Sequence, residues 1–530
     1  MPYAGRLQSQ RNAVAQALLL HRQGRVDEAE KIYLTVLADR PDCAEALHPF
    51  GVLRHQQGRN VEALELIGTA LKHAAKSADI LNNYGLVLAA LGRHLDALAY
   101  FEQALAICSE HINALNNRAD ALARLKREED ALAAYQRVLA VQPDHLGALN
   151  ECGGLNRRLG RLEAAVACYD RALAVAPAAE VYVNKGTALR TMNRDREALA
   201  SFVAAAALKP DCAEAHWNAS LIHLRRGDFV AGWRDYEWRW RKADWAARRR
   251  NFAMPLWLGK EPIEGKTLLL HAEQGLGDTI QFVRYAPLVV RRGADVVLEC
   301  QSELKALLQG IEGVGSVIAR GEVLPPFDFH CPLLSLPVAF ATELATIPAE
   351  WPYIRSDQQR MARWRDRVPQ RGRLRVGLCW AGSSAHRNDH NRSIPLQRFA
   401  SVLAVNNVDF VSLQKELSDA DAETLCQHQV LQLGRQFEDF ADTAAVLEML
   451  DLVIAVDTSV AHLAGAMGKA VALLLPFSPD WRWMLDRTDS PWYPTMRLFR
   501  QAAPGDWNGP LDRICRELAA LVVRRAKTAP

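Results

Sequence analysis

The sequence lacks the patterns by which cysteine marks a metal site or a disulfide framework. Its ten cysteines include no C-x-x-C pair and no Cys/His zinc spacing. Cys108, Cys152 and Cys168 fall inside helical patterns, where free thiols are commonly buried. No apolar run approaches the roughly 18 residues needed to span a bilayer. The opening MPYAGRLQSQRNAVAQALLL has no basic stretch ahead of an apolar core and cleavage site, so no secretory signal is expected. An excess of one charge is missing too: 64 Lys+Arg face 61 Asp+Glu, which argues against a dedicated nucleic-acid binder. With 49% hydrophobic and 24% charged residues, wholesale disorder is excluded. The expectation for 530 residues is a cytoplasmic chain of about three to four folded units.

What the first half does have is a repeat. A small residue is followed four positions later by a bulky one at Ala29/Tyr33, Ala63/Ile67, Ala97/Phe101, Ala131/Tyr135, Ala165/Tyr169, Ala198/Phe202 and Gly232/Tyr236, a period of 34 broken once by 33. Twelve residues upstream of each sits another small residue: Ala17, Gly51, Gly85, Ala119, Gly153, Gly186 and Ser220. Pro41, Pro143, Pro177 and Pro210 close four of the units. Small residues let two antiparallel helices approach, the bulky residue fills the space beside them, and proline stops the second helix. This register resembles the tetratricopeptide repeat over residues 10–246. Stacked units form either a spacer or a groove for an extended peptide. Asn82, Asn83, Asn116, Asn117, Asn150, Asn184 and Asn218 recur on the first helices, and Asn83, Asn117, Asn150 and Asn184 are the candidate groove residues. Each amide supplies a donor and an acceptor to a peptide backbone, or it is simply solvated. The last unit concentrates Trp233, Trp238 and Trp240, read as a cap docking on the next domain. Arg239–Arg250 is read as a solvated linker helix, its basic charge diluted by Asp235, Glu237 and Asp244.

After a linker at 247–265 the texture changes. An apolar run Lys266–His271, a glycine-rich turn, a helix over Thr279–Arg292 and a second apolar run Ala294–Cys300 open a doubly wound α/β unit over 266–355. Trp351–Ile354 is expected as its last strand. A second unit, 373–515, starts with the strand Leu374–Trp380 and continues through strands at 408–413, 452–456 and 470–475. A helix at 442–450 is expected to be capped by Asp442 or Thr443. Residues 516–530 make a terminal helix and tail. The expected fold class is an all-α repeat solenoid followed by two Rossmann-like domains facing a cleft, the glycosyltransferase-B arrangement.

Three turns carry the candidate chemistry. Gly275-Leu-Gly-Asp278 follows a strand and begins a helix; Ile280 stands where a dinucleotide fingerprint has its third glycine, and no Walker lysine follows. Asp278 is there either a helix cap or a carboxylate placed to accept a proton. Asp457-Thr458-Ser459 with His462 is either a capped helix start with a packed histidine or an anion site built from free N–H groups and the helix dipole. Trp380-Ala-Gly-Ser383-Ser384 makes the third. His386 and His390 are four apart, but Gly382, Ser383 and Ser384 argue for a loop, so no metal is expected. Trp481, Trp483 and Trp492 either stack on a ligand or pack in the core.

His271-Ala-Glu-Gln-Gly-Leu-Gly-Asp278, the Gly377–Ser384 turn with Arg392-Ser-Ile-Pro395, and Leu452–Leu463 together resemble the family 9, heptosyltransferase-like glycosyltransferases, in particular those that follow a tetratricopeptide array. The layout is also similar to O-linked N-acetylglucosaminyltransferases and flagellin glycosyltransferases. The resemblance implies an inverting transferase with Asp278 as general base. It implies Asp457, Thr458, Ser459, His462, Arg392, Ser383 and Ser384 around the donor diphosphate, and Glu273, Gln274, Gly275 and Gly277 toward the acceptor. A nucleotide-sugar would be substrate, with no other cofactor. The Asn-Arg-Ser-Ile-Pro395 segment departs from the family's Lys-Arg-Trp-Pro-like one, so heptose does not carry over as the donor sugar. The expected acceptor is a protein held by the repeats. The alternatives are glycan or lipopolysaccharide assembly with the repeats recruiting partners, and a non-catalytic scaffold.

Overall fold

The computed structural model describes residues 2–246, 248–369, 371–385 and 388–528. It forms two compact units, Met1–Pro210 and Asp211–Pro530. The first is an all-helical tetratricopeptide solenoid of six helix pairs, from Pro2–Arg22 with Val26–Asp39 to Ala179–Thr191 with Asp195–Leu208. The sequence spacing has a direct steric cause. A Cβ on Gly85 would lie 2.7 Å from Phe101, and one on Gly186 would lie 2.6 Å from Phe202. Gly51 meets Ile67 and Gly153 meets Tyr169 in the same way. The partners Ala29, Ala63, Ala97, Ala131, Ala165 and Ala198 are all fully buried. Within each pair the chain turns through a left-handed residue. This is Gly58 (φ +77°) or Gly92 (φ +78°) in two pairs and Lys126 (φ 62°) or Asn193 (φ 58°) in two others, so the turn tolerates a side chain at some strain.

The second unit begins with a seventh helix pair, Ala213–Arg225 and Phe229–Tyr236, followed by a 3-10 turn Glu237–Arg241 and a short helix Ala243–Ala246. This pair shares one hydrophobic core with the α/β region. Trp233 is 2% exposed and meets Phe282, Trp481 and Trp492 edge-on at centroid distances of 6.0, 5.2 and 6.5 Å. The docking role read for the tryptophan-rich segment falls on Trp233, while Trp238 and Trp240 are half-buried. The solvated-helix reading of Arg239–Arg250 is corrected: Arg239 is fully buried and ion-paired to Glu237 and Glu273.

Two parallel sheets follow. β1 (Thr267–His271), β2 (Asp295–Cys300), β3 (Val314–Ala319) and β4 (Phe329–Pro332) are ordered β3-β2-β1-β4. β5 (Leu374–Cys379), β6 (Val408–Ser412), β7 (Leu431–Gln432), β8 (Leu452–Val456), β9 (Val471–Leu475) and β10 (Met496–Arg500) are ordered β10-β9-β8-β5-β6-β7. The second order is the full doubly wound one, and β8 and β9 are almost wholly buried, as helix-covered parallel strands are. In each sheet the winding reverses at one place, between β1 and β4 and between β5 and β8. Turns leaving the C-terminal ends of those strands border the crevice where such sheets bind ligands.

Several boundaries differ from the sequence reading. The first helix starts at Leu276, and Pro287 helps to break it into Leu276–Phe282, a 3-10 turn Val283–Tyr285 and Ala286–Arg291. Trp351–Ile354 is extended but pairs with no strand; Tyr353 and Ile354 donate their N–H groups to the Ala466 carbonyl at a helix end. The helix expected at 442–450 is Phe440–Glu448, capped by Asp439. Asp442 instead accepts from Trp364 Nε1 at 2.9 Å and Arg360 at 2.8 Å. The last helix, Asn508–Thr528, runs through the boundary drawn at 515, and its Leu511, Ile514 and Leu518 pack under β5.

Two outcomes are expected from this packing. A fragment starting at Asp211 folds, whereas one starting at 266 exposes Phe282, Trp481 and Trp492 and aggregates on gel filtration. In the full chain Trp233→Ala destabilises the second unit by about 3–5 kcal/mol, read as a lowered urea midpoint. A third outcome concerns His271, whose Nε2 lies 3.2 Å from His330 Nδ1. Burial, then His330 and nearby arginines, push its pKa down to about 3. The unfolded chain therefore binds a proton between about pH 6.5 and 3 that the folded one refuses. The stability contributed is full above that window and is lost as pH falls through it. His271→Asn should flatten the fall in urea midpoint from pH 7 to 5, by up to ~1.4 kcal/mol per pH unit.

Candidate functional site

The turns at the two reversal points meet. Gly277 faces His462, and a Cβ there would come within 2.8 Å of the His462 ring. The missing side chain lets the helix Leu276–Phe282 of the first lobe rest on the helix Ser459–Ala466 of the second. Gly275 is the N-cap of the former: its N–H donates to Asp278 Oδ2 at 2.8 Å. Asp278 is thus a capping residue. Its other oxygen, Oδ1, accepts from Arg482 across the lobes. Both oxygens of the expected general base are engaged, although the side chain keeps 20% of its exposure.

Arg482 was not singled out from the sequence, where it is one of 64 basic residues. Its side chain is buried and donates to Asp278, to Asp480 Oδ1 at 2.9 Å and to Gln281 Oε1 at 2.5 Å. The guanidinium lies 4.4 Å from the centroid of Trp481. The only advance signal was its place after β9, at the C-terminal edge of the sheet. A second buried arginine, Arg284, also links the lobes. It donates to the Trp492 carbonyl at 2.9 Å and the Tyr353 hydroxyl at 3.0 Å.

On the second lobe, Thr458 is the N-cap position of Ser459–Ala466 but makes no side-chain cap, so the helix start keeps its dipole and donors uncapped. Its hydroxyl lies 3.6 Å from Cys379 Sγ at the end of β5. The Asp457 carboxyl is pushed up to about 6 by burial and by Asp480, with Arg392 and Arg482 pulling it back. His462 differs from expectation. It is buried, its Nδ1 lies 2.8 Å from the Tyr493 hydroxyl, and its ring packs 5.3 Å from Trp483. Burial and the nearby arginines hold its pKa well below the usual value, which disfavours the imidazolium. Its Nε2 is 3.7 Å from Asp457 Oδ1.

Arg392 reaches the same turn from outside, donating to the Asp457 carbonyl at 2.8 Å and to Asp389 at 3.1 Å. A Cβ on Gly382 would collide with its guanidinium. Arg392 thereby shapes the Asp457 turn. Ser383 and Ser384 are exposed beside it, as is His390; His386 lies outside the described residues. Trp481, Trp483 and Trp492 are core residues, 4%, 0% and 1% exposed, which decides against ligand stacking.

Beneath the first lobe's turn, Glu273 spans the reversal point. Its Oε1 accepts from the Leu334 N–H and from Arg239, both at 3.3 Å. Burial raises its pKa to about 7 against the pull of Arg239. Gln274 donates to the Tyr236 hydroxyl at 3.0 Å. Two of the four expected acceptor-side residues, Glu273 and Gln274, are therefore tied to the segment after the seventh helix pair or to the pair itself.

In the first unit the asparagines form a ladder. Asn83 Nδ2 lies 2.8 Å from His48, Asn117 donates to Asn82 at 2.9 Å, and Asn184 donates to Asn150 at 3.0 Å, each bond linking one first helix to the next. Asn116 donates instead to Asp120 and Asn218 to the Glu214 carbonyl, each on its own helix, and the groove amides Asn83, Asn117, Asn150 and Asn184 stay half-exposed. Asn117 lines a cavity of about 300 Å³ with Leu86, Asp120 and Arg124.

Models of the tetratricopeptide repeat match residues 42–110, 76–144 and 110–178, and a second model of that repeat matches 14–67 and 183–247. Protein FlbA of Caulobacter vibrioides is 26% identical over 335 residues, covering 58% of this chain and 55% of that protein. The chain thus spans about half the length of this curated relative. The matched stretch is longer than the repeat-bearing residues 10–246, so it takes in part of the α/β region. Solved structures similar to the chain include pilF of Pseudomonas aeruginosa, 18% identical over 40% of this chain and 96% of that one, with a TM-score of 0.37. Another is PilW, a type IV pilus biogenesis factor, 22% identical over 39% and 97% with a TM-score of 0.37. A third is YrrB, described as a TPR protein with an unusual peptide-binding site, 22% identical over 31% and 85% with a TM-score of 0.28. The chain is a tetratricopeptide-repeat protein in its N-terminal region, with an α/β region of parallel sheets after it. Among the described residues no helix is long and apolar enough to cross a membrane.

Proposed function

We propose that the α/β region is an inverting glycosyltransferase of the glycosyltransferase-B kind, taking a nucleotide-sugar as donor and a protein presented by the repeats as acceptor. One observation carries the reading: the turns at the reversal points of two parallel sheets meet, and at their junction the helix Ser459–Ala466 begins without a side-chain cap. An uncapped helix start offers N–H donors and positive potential to a diphosphate without a metal. Asp278 is the one carboxylate of the first turn that keeps exposure, which suits it to take the acceptor's proton. Ser459, Thr458 and the Arg392-braced Asp457 turn would cradle the leaving diphosphate, and preorganised donors of this sort stabilise departing charge. The asparagine ladder supports a peptide acceptor, because amides already oriented by one another present their remaining polar groups at repeat spacing.

A second reading, a non-catalytic repeat scaffold, is favoured by the Asp278–Arg482 pair, which occupies the expected base. Calorimetry and melting with UDP, GDP, ADP and CDP separate the two. The transferase raises the apparent stability of the second unit with one of them, by ~2.7 kcal/mol at a hundredfold excess over Kd. The scaffold shows no shift with any. Proteins captured by the full chain with its donor should then carry an added sugar mass, lost with Asp278→Ala; sugar on a glycan or lipid instead would replace the protein acceptor by the glycan-assembly alternative.

A further inference from the structure

The proposed reaction needs a free carboxylate and a cation for the leaving group, and here those two groups hold each other. We infer that Arg482 is the cation that receives the donor diphosphate, and that its ion pair with Asp278 is a latch which the donor opens. This rests on the glycosyltransferase reading above.

Arg482 stands where the lobes meet. It has partners on both, Asp278 and Gln281 on the first and Asp480 on the second. Its partner Asp278 adjoins Gly277, which packs on the His462 ring in the first turn of Ser459–Ala466, and the next residue, Trp483, packs against the same ring. The guanidinium is thus held, through Asp278, one residue from the contact between the two helices. Its two carboxylate partners differ. Asp480 lies two residues away on the same strand-end segment and travels with Arg482. Asp278 belongs to the other lobe, and its own position is secured independently by the Gly275 N–H. Loss of the arginine contact would leave Asp278 in place with one oxygen free.

A diphosphate is the natural competitor. It brings more than one negative charge and oxygen pairs spaced for the planar guanidinium fork, whereas Asp278 offers one oxygen. On donor binding the Asp278–Arg482 bond is replaced by a phosphate–Arg482 bond. The freed Asp278 oxygen accepts the acceptor hydroxyl's proton, the acceptor oxygen bonds to the sugar's anomeric carbon, and the bond from that carbon to the phosphate oxygen breaks. The electron pair leaves with the diphosphate, held by Arg482. Until the donor arrives the base is masked, so binding is ordered with the donor first.

The test is calorimetric titration of the full chain with UDP, GDP, ADP and CDP, continued with whichever binds. Asp278→Asn removes the competing charge and should tighten diphosphate binding about tenfold. Arg482→Gln should weaken it about tenfold or more, and adding Asp278→Asn to that variant should change nothing further, because no latch remains. Binding by Asp278→Asn no tighter than wild type, or tightened equally without Arg482, overturns the latch while leaving the transferase reading intact. If neither wild type nor Asp278→Asn binds any of the four, the transferase reading fails and takes the latch with it. Should Arg482→Gln not fold by circular dichroism, the wild-type and Asp278→Asn comparison decides alone.

Discussion

The second unit depends on the edge-on packing of Trp233 against Phe282, Trp481 and Trp492. One ring of the seventh helix pair touches the first lobe through Phe282 and the second lobe through the other two. Those contacts fix the two segments on which the proposed chemistry rests, because Phe282 ends the helix carrying Asp278 and Trp481 precedes Arg482. Aromatic packing of this area contributes both burial and preferred ring geometry. It also makes the last helix pair part of the α/β core rather than an end piece of a spacer.

Around that junction the polar groups are arranged so that few buried charges stand alone. Arg239 is matched by Glu237 and Glu273, Arg482 by Asp278 and Asp480, and Arg284 by carbonyls and the Tyr353 hydroxyl. Buried ions without such partners would cost several kcal/mol each. In the proposed latch the same matching is what would let an anion compete for Arg482.

The lowered pKa of His462 follows from the same environment. Surrounded by Trp483, Tyr493 and arginines, the imidazolium would lose hydration and face like charge. The ring is kept as a flat, compact wall for Gly277 to rest against. A histidine near a helix start can therefore serve the close packing of two lobes.

The repeat array was legible from one dimension, because the helix–helix contact between a small residue and a bulky one sixteen positions on is local and recurs with the chain. The parallel strands were mostly legible as well, through their continuous apolar runs; β3, β4, β7 and β10 carried too little contrast to be seen. The turns at 275–278 and 457–462 stood out by their glycines and hydroxyls. What only the tertiary structure decided was which groups are free. Asp278 is occupied by a residue 204 positions away, Arg239 is buried by a contact 34 positions on and another 96 positions on, and the pKa of His462 is lowered by burial and by arginines from three segments. Charge state and availability depend on long-range burial and pairing, and residue spacing along a chain holds no record of those.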